Sequence, residues 1–245
     1  MPRKAKLQSI ADEQSSQGVA AVNRALSLLA AFQQGSLVLT LSELAERTRL
    51  YKSTTLRLLT SLINANLIQR FEDGRYGLSY EVARLYAIYA ASFSMEHVVK
   101  PVLRDLVAIT GESAAYHVRQ GTTRFCLYRV DSPHPVRDHI KEGDLLPLKR
   151  GAGGRVLQAF ETDENSANQS DDDDEDKDLY ARIREQGYYS SIGDREQSVG
   201  GISAPVFRAN GKLVGAVTLT MPAERYDERF IEPVIAAARK LSALI

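Results

Sequence analysis

Short hydroxyl side chains and cations are concentrated in one stretch of the chain. Five of six consecutive positions are occupied by Lys52, Ser53, Thr54, Thr55 and Arg57. At the start of a helix, free backbone amides and the helix dipole favour a phosphate group. The arginine can reach a guanine edge or a phosphate, the lysine a phosphate, and the hydroxyls are short donors. These residue types in this pattern indicate a helix that contacts DNA.

The surrounding chain carries the patterns of three helices. Apolar residues recur at helical spacing from Val22 to Leu29. Thr40 and Glu43 then fit a capping box, which opens a short second helix. After a brief turn, residues 51–62 form the third helical pattern. The candidate DNA-contacting side chains therefore belong to the last of three consecutive helices.

The apolar residues of the third helix are expected to define its buried face. The predicted core-facing positions are Leu56, Leu59, and Leu62 or Ile63. The predicted outward-facing positions, at or near the opposite side, are Lys52, Ser53, Thr55 and Arg57. The side chains that can contact DNA would then point away from the N-terminal core.

Two strand-prone runs follow the third helix. Leu67–Phe71 and Arg75–Leu78 flank Glu72-Asp73-Gly74, and an Asp-Gly pair between such runs is typical of a β-hairpin. Three helices followed by a hairpin predict a winged helix-turn-helix, whose third helix fits a major groove of about 12 Å. Arg70 and Arg75 on the hairpin strands would lie along the neighbouring minor groove or backbone.

Each of these side chains also has an ordinary structural alternative. Ser53 or Thr54 can cap the third helix, and Arg57 can be a surface cation without contacts. Arg70 and Arg75 can pair with the acidic residues of the hairpin. The prediction of DNA binding therefore depends on the whole arrangement of helices, hairpin and cations.

Composition and charge agree with this prediction. Of 245 residues, 44% are hydrophobic and 25% are charged, as in globular proteins. Residues 1–90 carry 11 Lys and Arg against 7 Asp and Glu, a net charge of +4, and residues 91–245 carry 20 against 24, a net charge of −4. The basic part is the part suited to a polyanion. No run approaches the roughly 20 apolar residues of a membrane span, and no signal-peptide core follows the basic N-terminus, so we expect a cytoplasmic protein without a membrane partner.

The remaining reactive residues do not form a catalytic or metal-binding pattern. Cys126 is the only cysteine, which excludes an intramolecular disulfide and a cysteine metal cage. The four histidines are scattered, and no nucleophile elbow or phosphate-binding loop occurs. The acidic run Asp171–Asp176 lacks the alternating ligands and turn glycine of a calcium loop, so we expect a solvated, flexible loop. The sequence therefore predicts no enzyme, no metal site and no cofactor.

The chain is expected to have four parts. They are a mobile polar tail at 1–17, the winged helix-turn-helix at 18–79, a linker helix at 80–94 and a second domain at 95–245. The second domain mixes helical patterns with strand-like runs at 114–119, 124–130, 202–207 and 213–220. Because strands and helices do not alternate regularly, an α+β fold is favoured.

Several motifs occur along the chain in a specific order. In the first half they are Gly18–Leu26, Leu41–Ala45 and Lys52–Leu59. In the second half they are Gly143–Leu148, Gly151–Arg155, Ser191–Glu196, Ile202–Val206, Gly211–Val214 and Met221–Arg225. With these motifs the chain resembles the isocitrate lyase regulator (IclR) family of bacterial transcription factors, from about Gly18 to the C-terminus.

The resemblance implies a GAF-like C-terminal effector domain, an antiparallel sheet flanked by helices, with a pocket for a small organic or aromatic acid. Carried over by motif, the effector-binding residues would be Gly151, Ala152, Ser191, Gly201, Thr218 and Thr220. Backbone amides at a glycine-rich turn can bind a carboxylate, and residues two apart on a strand share a face. Threonines on a strand can also reflect β-propensity alone. His117, in a strand-like run, either lines the pocket or has a structural or surface role.

The sequence departs from the family pattern at several positions. Arg49 stands in the helix-turn-helix turn where the family usually has glycine, and an arginine is strained there if the position needs a positive φ. Tyr51 stands where the family often has proline. Some relatives have cysteine or serine where this chain has Gly201, Thr218 and Thr220, so the ligand of a relative cannot be transferred to this pocket.

The resulting hypothesis is a homo-oligomeric repressor or activator, either a dimer or a tetramer. It would bind a roughly palindromic operator in double-stranded DNA and respond to a small-molecule effector. The linker helix Tyr80–Phe93 would supply a dimer contact, unless it packs on its own domain. Two alternatives stay open, a metabolite-binding enzyme and a ligand-independent DNA-binding scaffold whose pocket is filled by its own side chains.

Overall fold

A computed structural model describes most of the chain, namely residues 18–33, 35–92, 95–161 and 174–245. The chain divides into two units, with the division between Phe93 and Ser94. The tail expected at 1–17 lies outside the described residues. None of the helices in the described ranges is long and apolar enough to span a membrane.

The first unit contains the predicted three helices and hairpin, and the predicted order is confirmed. The elements are α1 (Ala20–Ala30), β1 (Val38–Leu39), α2 (Leu41–Thr48), α3 (Lys52–Asn64), β2 (Ile68–Arg70), β3 (Tyr76–Leu78) and α4 (Tyr80–Ser92). Strands β2 and β3 form the hairpin, and β1 pairs antiparallel with the other edge of β3. Strand β1 was not predicted, because two residues are too few to show an alternating pattern.

The helices of the first unit converge on one apolar core. This core contains one fully buried leucine from each helix: Leu28 of α1, Leu44 of α2 and Leu59 of α3. Ile68 and Tyr76 of the hairpin belong to the same cluster. The position of α2 within this core is fixed at its first turn, where the predicted capping box is present. That box links Thr40 to Glu43, and its hydrogen bond from the Thr40 amide lowers the pKa of the Glu43 carboxyl. Local sequence signals and burial thus agree in this unit.

The turn between α2 and α3 contains an arginine in the left-handed conformation. Arg49 has φ 54° and ψ 32°, and its amide donates to the carbonyls of Ala45 and Glu46. The family's glycine at this position therefore has a conformational reason, since a Cβ costs about 1–2 kcal/mol in this region. The chain retains the turn in spite of this strain.

Replacing this arginine with glycine is expected to stabilise the first unit. Arg49→Gly should raise the free energy of unfolding by about 1 kcal/mol, because the relieved strain exceeds the added entropy of the unfolded chain. Thermal unfolding followed by circular dichroism measures the gain. Arg49→Ala is the matched control, since it removes the charge but keeps the Cβ; an equal gain in that variant would attribute the effect to charge.

The second unit is built on a six-stranded antiparallel sheet in the order β6-β5-β4-β9-β8-β7. Its elements are α5 (Met95–Thr110), β4 (Ser113–Gln120), β5 (Thr123–Val130), β6 (Leu145–Pro147), α6 (Ala152–Ala159), α7 (Asp174–Gln186), β7 (Tyr189–Ile192), β8 (Val199–Phe207), β9 (Leu213–Pro222) and α8 (Ile231–Leu244). Two short 3₁₀ turns, Ala223–Arg225 and Glu228–Phe230, precede α8. The predicted α+β class with an antiparallel sheet is confirmed.

Helices cover both faces of this sheet. Helices α5 and α8 pack on one face, where Val217 and Leu219 of β9 are buried. Helices α6 and α7 pack on the other face against Ala216. Since alternate residues of a strand point to opposite faces, Thr218 and Thr220 lie on the α6 side of β9. The predicted sharing of a face by these two threonines follows from this arrangement.

The four predicted strands are present, but two further strands and one helix boundary were missed. Strands β6 and β7 are short edge strands, and their sequences, Leu-Leu-Pro and Tyr-Ser-Ser-Ile, carry no alternation. The acidic run was expected to be a loop, which is wrong for its last three residues, because α7 begins at Asp174. Carboxylates stabilise the first turn of a helix, and Asp176 also binds Arg155 at 2.6 Å. The first three residues of the run lie outside the described residues.

Candidate functional site

Helix α3 presents a cationic surface on the first unit. Lys52, Ser53 and Arg57 are exposed and Thr54 is partly exposed. Tyr51 is the N-cap and makes no side-chain cap hydrogen bond, so neither Ser53 nor Thr54 caps the helix. Among the described residues, Lys52 and Arg57 have no hydrogen-bond or ion-pair partner. These side chains are available to an external ligand.

Two predicted positions on α3 are corrected by the structure. Thr55 was expected to face outward, but its side chain is fully buried and its hydroxyl donates to the carbonyl of Tyr51 at 3.1 Å. Leu56 was expected to face the core, yet 47% of it is exposed. The buried face passes through Thr55, Leu59 and Leu62, at spacings of four and three residues. Hydrophobicity alone placed this face one residue too far along, so Thr55 is removed from the candidate DNA contacts.

The hairpin arginines have different surroundings. Arg75 binds Asp73 at 2.7 Å, so the alternative of pairing within the hairpin is confirmed for this residue. The guanidinium of Arg70 lies 5.8 Å from the ring centroid of Tyr76. Both arginines remain exposed. An exposed ion pair contributes about 0–1 kcal/mol, so Arg75 can exchange its partner for a phosphate at little cost.

The six residues that the family resemblance implied for effector binding line one pocket in the second unit. The pocket is partly open to solvent. The predicted lining residues are Gly151, Ala152, Ser191, Gly201, Thr218 and Thr220. The pocket is also lined by His117, Arg124, Ile140, Asp194, Arg195, Val199 and Gly200. The structure thus brings together residues from β4, β5, β7, β8, β9 and the start of α6.

A glycine-rich turn lets α6 approach the sheet closely. Gly151, with φ 76°, is the N-cap of α6, and a Cβ on Gly153 would lie 2.6 Å from the hydroxyl of Thr218. The N–H groups of Ala152 and Gly153 belong to the first turn, where a helix has no carbonyl partners for them. The amide of Gly151 was expected to be free for a carboxylate, but it donates to Asp194 at 2.8 Å. The amides of Ala152 and Gly153 are therefore the ones suited to an anion.

The pocket wall contains two arginines: Arg195 pairs with Glu196 at 2.6 Å, and Arg124 has no ion pair among the described residues. Arg124 is 3% exposed and donates through Nη1 to the carbonyls of Pro147, at 3.1 Å, and Arg150. Its Nε and the Nη2 of Arg195 are buried without a partner among the described residues. Burial and the neighbouring charge of Arg195 lower the pKa of Arg124 to about 10, so Arg124 stays protonated at neutral pH. The wall favours an anionic ligand.

Sequence reasoning left the charged part of this pocket unassigned. For His117 the sequence left two alternatives open, a position in the pocket lining and a structural or surface role. In the structure His117 is buried and lines the pocket. Arg124 was missed, although it lies two residues from Cys126 on the same strand, and both are buried. That spacing gives Arg124 and the apolar Cys126 the same face of the strand, and it is the signal that could have identified Arg124.

The described residues contain no further reactive cluster of the kinds that were considered. No group of three or more His, Cys, Asp or Glu side chains in these ranges can hold a metal ion. Cys126 is buried, and burial raises the pKa of its thiol to about 12. A thiol in this environment is a poor nucleophile at neutral pH.

Comparison with known proteins gives matches over nearly the whole described chain. The family model for the C-terminal part of bacterial IclR transcriptional regulators matches residues 87–243, and the model for the IclR helix-turn-helix domain matches residues 21–71. The HTH-type transcriptional regulator KdgR of Escherichia coli is 25% identical over 83% of this chain and 84% of its own length.

Solved structures show the same fold. A crystal structure described as an IclR transcriptional regulator from a Silicibacter species has a TM-score of 0.79 at 26% identity, covering 91% of this chain and 95% of the other. An IclR homologue from Microbacterium hydrocarbonoxydans, complexed with 4-hydroxybenzoate, has a TM-score of 0.77 at 19% identity and covers 91% of this chain and 98% of the other. The second likeness is one of fold alone.

Proposed function

This chain belongs to the IclR family of bacterial transcription regulators, and we propose that its binding to a specific operator is modulated by a small carboxylic acid in the C-terminal pocket. The observation that carries the proposal is the pocket itself, where all six expected residues meet the buried Arg124 and the partly buried Arg195. The relatives and family models are regulators rather than enzymes. The chain is accordingly a transcription regulator with a helix-turn-helix domain and an effector domain.

The proposed DNA contacts come from α3 and the hairpin. Lys52, Ser53 and Thr54 lie in the first turn of α3 and would bind phosphates, and Arg57 would bind a guanine edge in the major groove. Leu56 and Tyr51 were not among the expected contacts, but both are exposed on the same helix start and can contact a thymine methyl group. Arg70 and Arg75 would follow the backbone or minor groove beside the hairpin.

Two helices of the first unit carry exposed apolar side chains, which supports a homodimer. Val22 and Leu26 of α1 are 53% and 55% exposed, and Leu85 and Tyr86 of α4 are also exposed. Apolar side chains on exposed helix faces are typical of protein interfaces. Two copies joined through such surfaces would present two α3 helices to a roughly palindromic site, which multiplies the specificity of one small module.

The proposed effector is an anion because the pocket contains buried cationic donors. The 4-hydroxybenzoate complex of the Microbacterium homologue supports an acid of this general kind. The ligand changes operator affinity to the extent that it binds two arrangements of the protein with different affinities. A scaffold whose pocket is filled by its own side chains is the alternative, and it predicts that none of a broad set of organic and aromatic acids binds in calorimetry.

Arg57→Ala tests the operator-binding part of the proposal. Binding sites would be selected from a library of random duplexes, and the affinity for a selected duplex compared with random DNA across a salt series. Loss of one bidentate base contact costs about 1–3 kcal/mol, so Arg57→Ala should bind the selected duplex about 10- to 100-fold more weakly and with relaxed preference.

The control for this experiment is Arg239→Ala, which removes an exposed arginine from the second unit. It should leave the selected site and its affinity unchanged. Equal, weak and salt-sensitive binding of every duplex by the wild type would leave only the electrostatic contribution and refute a specific operator.

A further inference from the structure

A chain of hydrogen bonds beneath the pocket determines which nitrogen of His117 carries its proton. The hydroxyl of Ser203 lies 2.8 Å from the carbonyl oxygen of Val217, and a carbonyl oxygen only accepts, so Ser203 donates there. The hydroxyls of Ser203 and Thr218 are 3.0 Å apart. Since the proton of Ser203 is already used, Thr218 donates to Ser203.

The same reasoning continues to the imidazole. His117 Nδ1 lies 3.2 Å from the hydroxyl oxygen of Thr218, whose only proton points to Ser203. Nδ1 must therefore carry a proton and donate to Thr218. Burial and the charges of Arg124, Arg129 and Arg195 lower the pKa of His117 well below its ordinary value, so the ring is neutral. A neutral ring with a proton on Nδ1 has a bare lone pair on Nε2.

That lone pair is buried and unsatisfied. His117 lines the pocket, is 1% exposed, and its Nε2 has no hydrogen-bond partner among the described residues. The pocket thus combines donors for an anion, on Arg124, Arg195 and the start of α6, with one strong acceptor. A keto acid offers acceptors only and leaves Nε2 unpaired, which is costly for a buried polar group.

We propose that the ligand of this pocket is a hydroxycarboxylate whose carboxylate lies against Arg124, Arg195 and the first amides of α6 and whose hydroxyl donates to His117 Nε2. This inference rests on the proposed effector function and specifies its ligand class. Thr220, whose hydroxyl is also buried without a partner among the described residues, lines the same pocket and can accept or donate to a second oxygen of the ligand.

The experiment is calorimetry on the full chain with matched acids. The short set is lactate, pyruvate and propionate, and the long set is 4-hydroxybenzoate, 4-methoxybenzoate and benzoate. In at least one set, the hydroxy acid should bind about tenfold more tightly than the other two, the usual consequence of one satisfied buried hydrogen bond. No proton should be taken up on binding, which titration in buffers of different ionisation enthalpy measures.

A second variant tests the hydrogen-bond chain itself. Ser203 does not line the pocket, and Ser203→Ala frees the proton of Thr218 to donate to His117 Nδ1. The imidazole proton then moves to Nε2, and the preference for the hydroxy acid, in whichever set the wild type shows it, should vanish or invert. Ser132→Ala, a buried serine bonded to the carbonyl of Gly111, is the matched control and should keep the preference.

The outcomes separate the two proposals. If neither set binds, both the effector site and the inference fall. If acids bind but the hydroxyl gives no advantage, or protons are taken up, the effector site stands and the inference falls. Nitrogen-15 NMR of His117, assigned with His117→Gln, adds a ligand-free test: a protonated Nε2 in the free protein overturns the inference.

Discussion

Replacing Gly154 with alanine is expected to destabilise the second unit by about 3 kcal/mol. A Cβ at this position would overlap the carbonyl oxygen of Leu148 and lie 2.5 Å from Nη1 of Arg124. The first neighbour is backbone and the second is a buried guanidinium that is already bonded to two carbonyls, so neither can yield easily. Overpacking of a buried site costs about 1–3 kcal/mol, and displacing the start of α6 adds to that cost.

The sign of the change in unfolding free energy distinguishes the steric overlap of the new Cβ from the effect of helix propensity. Gly154 lies inside α6, where alanine is favoured over glycine by about 1 kcal/mol, so propensity alone predicts stabilisation. Chemical denaturation followed by circular dichroism gives the free energy of unfolding. Hydrogen exchange would assign the loss to the second unit, since amides of the first unit should keep their exchange rates.

Gly187→Ala is the matched control for this prediction. Gly187 has φ 77°, and a Cβ there would meet nothing within 4 Å, so only conformational strain of about 1 kcal/mol is expected. A Gly154→Ala protein as stable as the wild type would show that α6 can move away from Leu148. The close approach of α6 to the sheet would then not be a requirement of the fold.

Much of the fold was predictable because its signals are local. The Thr40–Glu43 capping box needs only four consecutive residues, and the hairpin needs only Asp73-Gly74 between two strand-prone runs. The long strands β4, β5, β8 and β9 also carry enough apolar residues to be recognised. The edge strands β6 and β7 were missed, because their pairing is determined by their neighbours in the sheet rather than by their own sequences.

The orientation of α3 shows where a helical pattern is insufficient. A threonine and a leucine are adjacent at positions 55 and 56, and hydrophobicity assigns the leucine to the core. In the structure Thr55 satisfies its hydroxyl on the preceding turn, through the carbonyl of Tyr51, and so can be buried at little cost. Leu56 is left exposed on the surface that carries Arg57. Tertiary packing therefore decides a difference of one residue in the orientation of the helix.

The position of the pocket was predicted, but its charged lining residues were not. The resemblance supplied six lining residues that are small or carry a hydroxyl. The charged residues come from distant positions in the sequence. Arg124 on β5 and Arg195 after β7 line the same pocket only because the strands assemble in the observed order. The register of β4 with β9 likewise brings His117 next to Thr218, 101 residues apart. No pattern within a sequence window contains that information.

Arg124→Met is expected to have the largest effect on ligand binding. Arg124 is a buried cation with carbonyl oxygens as its hydrogen-bond partners, so a carboxylate in the pocket would supply its missing counter-charge. Truncating one partner of such a buried charge pair costs about 3–4 kcal/mol, a loss of roughly 100- to 1000-fold in affinity. Calorimetry with lactate or 4-hydroxybenzoate, whichever binds the wild type more tightly, measures this loss.

The pH dependence of binding follows from the pKa of Arg124. The folded-state pKa of about 10 lies below the ordinary value, so folding disfavours the charged form of Arg124. The contribution of Arg124 to the free energy of unfolding is therefore constant below about pH 10 and rises as the pH increases beyond it. Between pH 6 and 9 the group is charged in both the folded and unfolded protein. Carboxylate affinity should therefore be constant across this range, and the loss in Arg124→Met should be equally large throughout it.

Stability and binding should respond differently to this substitution. Methionine removes a buried charge, which favours the folded protein, and also removes donors from the carbonyls of Pro147 and Arg150, which opposes it. The net change in unfolding free energy should stay within about 2 kcal/mol. Arg119→Met, which removes an arginine bound to Glu161 outside the pocket, is the matched control and should keep full affinity. If Arg124→Met also kept full affinity, Arg195 and the first amides of α6 would hold the carboxylate without Arg124, and its placement against Arg124 would be wrong.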